Sequence, residues 1–155
     1  MPHTRPLRWY LFVLTVFGLS TSVAADDAAA SSKGTLVVDI SNIQNDEGQV
    51  GCSLFSKKDG FPSKPEKADS NVFVKQKAGK ATCTFKDVKP GKYAVSVMHD
   101  ADKDGKLKTN MVGRPKEWWG VSNNIPAERF GPPKYEAATF IYKGEPKTIK
   151  VKLQL

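Results

Sequence analysis

The chain has 155 residues, with 24 lysines and arginines against 16 aspartates and glutamates, which gives a formal net charge of +8 at pH 7. This length buries a real core and predicts one domain rather than two. A positive surplus favours anionic polymers, anionic lipid or nucleic acid as partners, but the lysines are scattered along the chain and no arginine-rich helix is predicted. We therefore expect a solvated lysine surface and no specific nucleic-acid site.

The N-terminus has the residue order of a secretory signal peptide. Arg5 and Arg8 precede an apolar run over residues 9–19, and small residues follow up to Ala25. The apolar run is shorter than the roughly 20 residues that a membrane-spanning helix needs, and an uncleaved anchor is the alternative. We predict a secreted or periplasmic protein with no stable membrane insertion after signal cleavage. Its predicted parts are a signal peptide at 1–25, a flexible lead-in at 26–33 and one domain at 34–155.

Alternation of apolar and polar residues predicts about seven strands and no sustained helix. The predicted strands cover 36–41, 49–55, 71–75, 81–86, 93–98, 138–143 and 147–153. The first two are expected to pair as a hairpin. The stretch 56–68 is predicted to be a loop with one short helical turn at most, because glycine and proline interrupt it. This pattern favours an all-β, antiparallel two-sheet sandwich with a long loop rich in proline and tryptophan.

Two cysteines follow the predicted signal peptide. Cys52 and Cys83 each alternate with apolar neighbours, so both are expected to point inward. An oxidising compartment then favours a structural disulfide between them. A redox or metal-binding thiol pair is the alternative, but the C-x-x-C spacing is missing.

Several motifs resemble known families. The run Phe85-x-Asp-Val-x-Pro-Gly-x-Tyr93 is similar to the strand-turn-strand of transthyretin-like and carboxypeptidase-regulatory-like sandwiches. A longer pattern resembles the bacterial domain-of-unknown-function family numbered 2141. It consists of His99-Asp-x-Asp-x-Asp-Gly-x-Leu107, Gly113-x-Pro-x-Glu117, Gly120-x-Ser-Asn-Asn124 and Gly131-Pro-Pro-x-Tyr135. The resemblance covers 34–155 and implies a secreted or periplasmic, immunoglobulin- or transthyretin-like β-sandwich without an established activity. That family tends to place an acidic residue where Lys108 stands here, which argues against a ligand role for Lys108.

The stretch after the fifth predicted strand has the first half of a calcium-binding loop. Asp100, Asp102 and Asp104 alternate and are followed by Gly105, so their carboxylates converge on one point and glycine permits a sharp turn. Without a cation, three converging like charges would repel one another. Calcium is therefore the expected cofactor, and magnesium is disfavoured because it seldom uses an all-protein cage.

The remaining calcium ligands are not supplied by the same motif. The twelfth position, where calcium loops place a bidentate glutamate, is Met111. The carbonyl of Lys106 is one further candidate, and the side chains of Asn110 and Glu117 are the others. The alternative is a solvated turn without an ion, in which the neighbouring lysines offset the aspartates.

His99 is the only histidine after the predicted signal peptide. A metal-assisted hydrolase would use His99, Asp100 and Glu117 around an activated water. Ser122 lacks the glycine that follows the serine of a nucleophile elbow. We therefore expect a non-catalytic protein in which the histidine is hydrogen-bonded to a carboxylate or backbone group.

The loop after the acidic stretch is rich in aromatic and amide side chains. If exposed, they would form a stacking platform for a sugar ring or a peptide, and if buried they would cap the sandwich. We expect one tryptophan to be buried and the other exposed. The predicted ligand-binding residues are His99, Trp118, Trp119, Asn123, Asn124, Arg129 and Tyr135.

These expectations combine into a secreted binding or envelope module with a structural calcium site, whose partner is a glycan, a peptide or an envelope polymer. The competing functions are the metal-assisted hydrolase and a purely structural domain without a ligand.

Overall fold

The computed structural model describes residues 32–111, 115–126 and 131–155. The predicted signal peptide and almost all of the lead-in lie outside these residues, as does Arg129. Within them the chain forms eight strands: β1 (Gly34–Ser41), β2 (Gln49–Phe55), β3 (Ser70–Val74), β4 (Lys80–Val88), β5 (Gly91–Asp100), β6 (Trp119–Val121), β7 (Phe140–Tyr142) and β8 (Lys147–Lys152). Helix is limited to a single turn, α1 (Tyr135–Ala138), and two 3-10 turns at Pro65–Lys67 and Ser122–Asn124. None of the helices found in these ranges is long and apolar enough to cross a membrane.

The strands form two sheets, so the predicted all-β sandwich is confirmed. One sheet has the order β4-β1-β8, and the other has the order β3-β2-β5-β6, with β7 also pairing with β5. All pairs are antiparallel except β1 and β8, which run parallel. The described residues form one strand more than the seven predicted. This extra strand is β6, which lies inside the long loop rich in proline and tryptophan.

The predicted hairpin between the first two strands is wrong. β1 pairs with β4 and β8, whereas β2 pairs with β3 and β5, so the chain changes sheets between Ser41 and Gln49. Both strands carry an apolar face with a period of two, and here those faces oppose each other across the core. The alternation specifies which side of a strand is buried but not its hydrogen-bonding neighbour.

The core lies between the sheets and contains the inward faces that the alternation predicted. Leu36, Val38 and Ile40 of β1 are at most 2% exposed. β2 and β5 are also buried on their outer faces, for example at Phe55 and Ala94. The reason is a second apolar cluster, in which Phe61, Leu107 and other loop residues cover the outside of the five-stranded sheet.

The predicted disulfide is present and joins the two sheets. Cys52 lies on β2 and Cys83 on β4, and the S–S distance is 2.04 Å. Both residues are at most 1% exposed. The bond therefore closes a covalent loop across the core rather than along one sheet.

Replacing both cysteines, Cys52→Ala with Cys83→Ala, is expected to lower the free energy of unfolding by about 3 kcal/mol, because the denatured chain regains the entropy that the 31-residue loop closure removes. Urea denaturation measures this difference. Wild-type protein reduced with dithiothreitol is the matched control and should lose a similar amount. A double variant as stable as the oxidised wild type would contradict the prediction.

Candidate functional site: the acidic loop at the end of β5

The acidic loop, residues 101–108, begins where β5 ends and lies beside the start of β2. Asp100 is the last residue of β5 and stands opposite Gln49 in the antiparallel register. The turn before β2 packs against the first residues of the loop at Gly48, whose φ is +70°. A side chain at Gly48 would collide with the Asp100 carbonyl and with Ala101. Glycine thus lets the turn between the sheets come into contact with the acidic loop.

Asp100 is fully buried, and the loop winds around its carboxylate. Its Oδ1 accepts a hydrogen bond from the Asp104 amide at 3.1 Å. Its Oδ2 accepts bonds from the Gly105 amide at 3.0 Å and from Gln49 Nε2 at 2.9 Å. Gly105 has a φ of +74°, as the sharp turn predicted from its position requires. These charge-assisted bonds offset the cost of burying the carboxylate.

Glu117 folds back onto the acidic loop from the other side. It is 8% exposed. Its Oε1 accepts a hydrogen bond from the Ala101 amide at 3.2 Å and its Oε2 accepts one from the Lys108 amide at 2.9 Å. One carboxylate therefore joins the two ends of the loop, and Glu117 lies beside Asp100 as its choice as a candidate ligand requires.

Three carboxylates converge at this point. Oxygen atoms of Asp100, Asp102 and Glu117 all lie within 4.8 Å of one another. Asp104, which the spacing also suggested, is outside this group, and its Oδ1 accepts a hydrogen bond from the Lys106 amide at 2.8 Å. The candidate ligand Asn110 follows the loop and is half-buried. The convergent set is thus two residues of the motif and one from beyond it.

Lys108 supplies positive charge to this group. Its ammonium pairs with the carboxylate of Asp102, and both side chains are more than 40% exposed. The hydrogen bond to Lys108 lowers the pKa of Asp102 below its usual value, and the same bond raises the pKa of Lys108. The loop therefore holds its own cation at the exposed side of the carboxylates.

His99 lies on the opposite face of β5 from Asp100 and is 2% exposed. Its Nε2 is 2.8 Å from the Glu47 carbonyl, which also accepts a hydrogen bond from Gln76 Nε2. The same ring nitrogen lies 3.3 Å from Gln76 Nε2, so the imidazole, the Gln76 amide and the Glu47 carbonyl form one polar cluster. The imidazole therefore ties the turn before β2 to the core, and it is not among the side chains that converge with Asp100.

The two tryptophans are both withdrawn from the surface. Trp119 is 7% exposed in the second apolar cluster, and Trp118 is half-buried against the main core. The expectation that one of them is exposed is wrong. They are consecutive residues where β6 begins, so their side chains point to opposite faces of the sheet. Trp118 packs against the main core on one face, and Trp119 packs in the second apolar cluster on the other.

The neighbouring amides bond to backbone groups. Asn123 Nδ2 donates to the carbonyls of Ala137 and Thr139, at 3.0 Å in each case. Asn124 donates to the Lys150 carbonyl at 3.2 Å and accepts from the Lys152 amide at 2.7 Å. These bonds fix α1 and the edge of β8.

Both asparagines also have positive φ, of 64° and 52°. Tolerance of this conformation by asparagine is the sequence signal that would have indicated a structural turn here. Tyr135 is half-buried, with its ring packed edge-on against Phe61.

The model of a family described as uncharacterized protein conserved in bacteria (DUF2141) matches residues 38–150. The chain belongs to the DUF2141 family. The family predicted from the motifs is therefore confirmed, and the match includes the whole acidic loop and Glu117. No curated protein and no solved structure matches the chain.

The DUF2141 domain also has a groove beside the acidic loop, on the outer face of the five-stranded sheet. Small residues of the sheet line it together with Trp119, Met98 and Leu107. Phe73, Gly51, Met98 and Trp119 stand opposite one another in register across β3, β2, β5 and β6. A Cβ at Gly51 would lie 2.9 Å from the Phe73 ring, so glycine lets this ring lie across the strand without shifting. The sequence did not reveal this row, because its members lie on four separate strands.

Asp100→Asn is expected to destabilise the domain by about 2 kcal/mol, because an amide cannot accept all three bonds and adds a buried donor without a partner. Asp104→Asn makes the same chemical change at an exposed residue of the same loop and should cost less than about 0.5 kcal/mol. Urea denaturation of both variants without added metal measures the difference. Equal losses would show that the Asp100 carboxylate does not organise the loop.

Proposed function

We propose that this chain is a non-catalytic binding module of the bacterial envelope, secreted or periplasmic, whose acidic loop binds a calcium ion. In this role the ion holds the acidic loop, and with it Leu107 beside the groove, in a fixed position. The N-terminal charge and hydrophobicity pattern, the inter-sheet disulfide and the bacterial family support the location.

The observation that carries the calcium proposal is the side-by-side burial of two carboxylates. Asp100 and Glu117 are 0% and 8% exposed, and the carboxylate of Asp102 is within 4.8 Å of both. Backbone amides stabilise each of the two buried groups, but like charges at this separation still repel. A divalent cation at their common point removes that repulsion, and calcium prefers carboxylate oxygens.

The hydrogen bonds that these carboxylates accept leave some of their oxygen lone pairs free to bind an ion. A carboxylate has about four lone-pair positions, so Asp100 keeps room for an ion beside its three donors. Calcium takes 6–8 oxygens, so waters and carbonyl groups must complete the shell. Lys108 competes for Asp102, because its ammonium occupies the exposed side of that carboxylate. We therefore expect a weak site, with a dissociation constant on the order of 10⁻⁴ to 10⁻³ M.

Saturating calcium is expected to raise the melting temperature of the wild type by about 3–6 °C relative to chelator. Lys108→Gln should bind calcium more tightly, because it removes the competing cation. Lys106→Gln is the matched control, since it removes one exposed lysine of the same loop that does not pair with Asp102. Asp102→Asn should weaken binding. Thermal melting across a calcium titration measures all four proteins.

Three outcomes would contradict the calcium proposal. Identical melting in calcium and chelator for both the wild type and Lys108→Gln would favour a metal-free loop in which Lys108 is the permanent counter-ion, and hence a structural domain without an ion. Equal gains from Lys108→Gln and Lys106→Gln would indicate a general charge effect. An equal response to magnesium would show that the site does not select calcium.

The hydrogen bonds of Ser122, the candidate nucleophile, and of His99, the candidate base, support the proposal that the module is non-catalytic. Ser122 is 1% exposed and its Oγ donates to the Ala138 carbonyl at 2.6 Å. His99 is held by the Glu47 carbonyl on the face of β5 opposite Asp100. Neither side chain faces the carboxylates that would bind a metal.

A panel of chromogenic esters, phosphoesters and glycosides, assayed with calcium and with zinc, is expected to show no turnover above the buffer rate. Glu117→Gln is the informative variant, because it removes a carboxylate that a metal-assisted hydrolase would require. Turnover that is present in the wild type and lost in Glu117→Gln would overturn the non-catalytic assignment.

A further inference from the structure

The lysines that are scattered along the sequence converge on one face of the fold. Lys80 and Lys86 of β4 and Lys150 and Lys152 of β8 are exposed and alternate with inward residues of the three-stranded sheet. They therefore stand on the outer side of that sheet, away from the core. We refer to the outer side of β4, β1 and β8, with these four lysines, as the lysine face.

The register sets the spacing of these charges. Lys80, Ser41 and Lys152 stand opposite one another across β4, β1 and β8, and Lys150 lies in the next outward row. Strands are about 4.8 Å apart and rise about 3.3 Å per residue. The backbone positions of three of the lysines therefore lie within about 12 Å of one another on a two-row strip of sheet.

The rest of the lysine face is small and rich in hydroxyl groups. Between the lysines lie Thr82, Thr84 and Thr148, all exposed, and Ser41. In the paired rows the single carboxylate is Asp39, which accepts a hydrogen bond from Thr82 Oγ1 at 3.1 Å. In the described parts of the chain the two salt bridges use Lys67 and Lys108, so neither neutralises a lysine of this face.

We infer that the lysine face is a binding surface for an anionic polysaccharide. The positive charges recognise its carboxylate or sulfate groups, and the hydroxyl groups lie where sugar hydroxyls can exchange hydrogen bonds with them. Because the charges lie on β4 and β8, the two outer strands of the three-stranded sheet, a polymer contacts several of them at once, whereas a small anion contacts one. This inference names a partner class for the proposed binding module, and it does not depend on the calcium site.

Two other polyanions fit this face less well. An anionic bilayer is bound most firmly where apolar side chains insert, and the outward positions of β4, β1 and β8 offer only Val37, which is half-buried. Single-stranded nucleic acid is bound through aromatic stacking, and these positions carry no aromatic residue. Edge-strand lysines also discourage sheet-to-sheet aggregation, and the test below separates that role from binding.

The test measures binding of the full chain to immobilised dextran sulfate, with uncharged dextran as the reference, over a range of sodium chloride concentrations. The wild type is expected to bind dextran sulfate and not dextran. The variant Lys80→Gln with Lys150→Gln and Lys152→Gln should bind about tenfold or more weakly and show a shallower salt dependence. The matched control is Lys57→Gln with Lys58→Gln and Lys134→Gln, which removes the same charge from exposed loop lysines and should change affinity less than about threefold.

Several results would overturn the inference. The first is that the wild type does not bind dextran sulfate. The second is that both triple variants lose the same affinity for it. The third is that the lysine-face variant aggregates although the wild type shows no binding. Tighter binding to phosphatidylglycerol vesicles or to DNA, lost in the same variant, would assign the face to that class instead. Loss of dextran sulfate binding in chelator would move the site to the acidic loop. Unchanged melting temperatures of both variants in buffer serve as the folding control, and the calcium titration above tests the acidic loop separately.

Discussion

The acidic end of this fold depends on the burial of β5 on both of its faces. Val95 and Val97 face the core between the sheets, and Ala94 and Ser96 face a second layer formed by loops. When such a strand ends, its last side chains are still excluded from water on either side. Polar groups in that position must bond to protein groups, because an unpaired buried donor or acceptor is costly.

His99 and Asp100 satisfy this requirement in different ways. The His99 ring, on the inner side, contacts the carbonyl of Glu47 at 2.8 Å and thereby fixes the turn that connects the sheets. Asp100, on the outer side, collects two loop amides and one side-chain amide around its carboxylate. The turn of the acidic loop therefore brings amides to one buried charge, and Glu117 closes the loop separately through the amides of Ala101 and Lys108.

Much of this could be predicted from the sequence. Alternation located most strands and the inward side of β1 and β4, because a period of two directly reports burial on one face. The alternating aspartates and Gly105 located the turn of the loop. Aspartate favours turns because its carboxylate accepts hydrogen bonds from nearby backbone amides, and glycine favours them because it adopts a positive φ without strain. Pairing was not predictable, because β1 joins β8 from the far end of the chain. β6 has three residues and is too short to show a period.

The sequence by itself determined the all-β class, the family, the inward cysteines and the position of the acidic turn, because these depend on local periodicity and on short motifs. Only the tertiary structure decided that Asp102 and Glu117 join Asp100 while Asp104 stays outside, and that Lys108 pairs with Asp102. It also decided that Trp119 is buried and Trp118 half-buried. The tertiary structure also placed the lysines of β4 and β8, which are far apart in the sequence, on one face of the three-stranded sheet. The physical reason is that these contacts join strands and loops far apart in the chain, where sheet pairing and burial, not residue spacing, fix which groups meet.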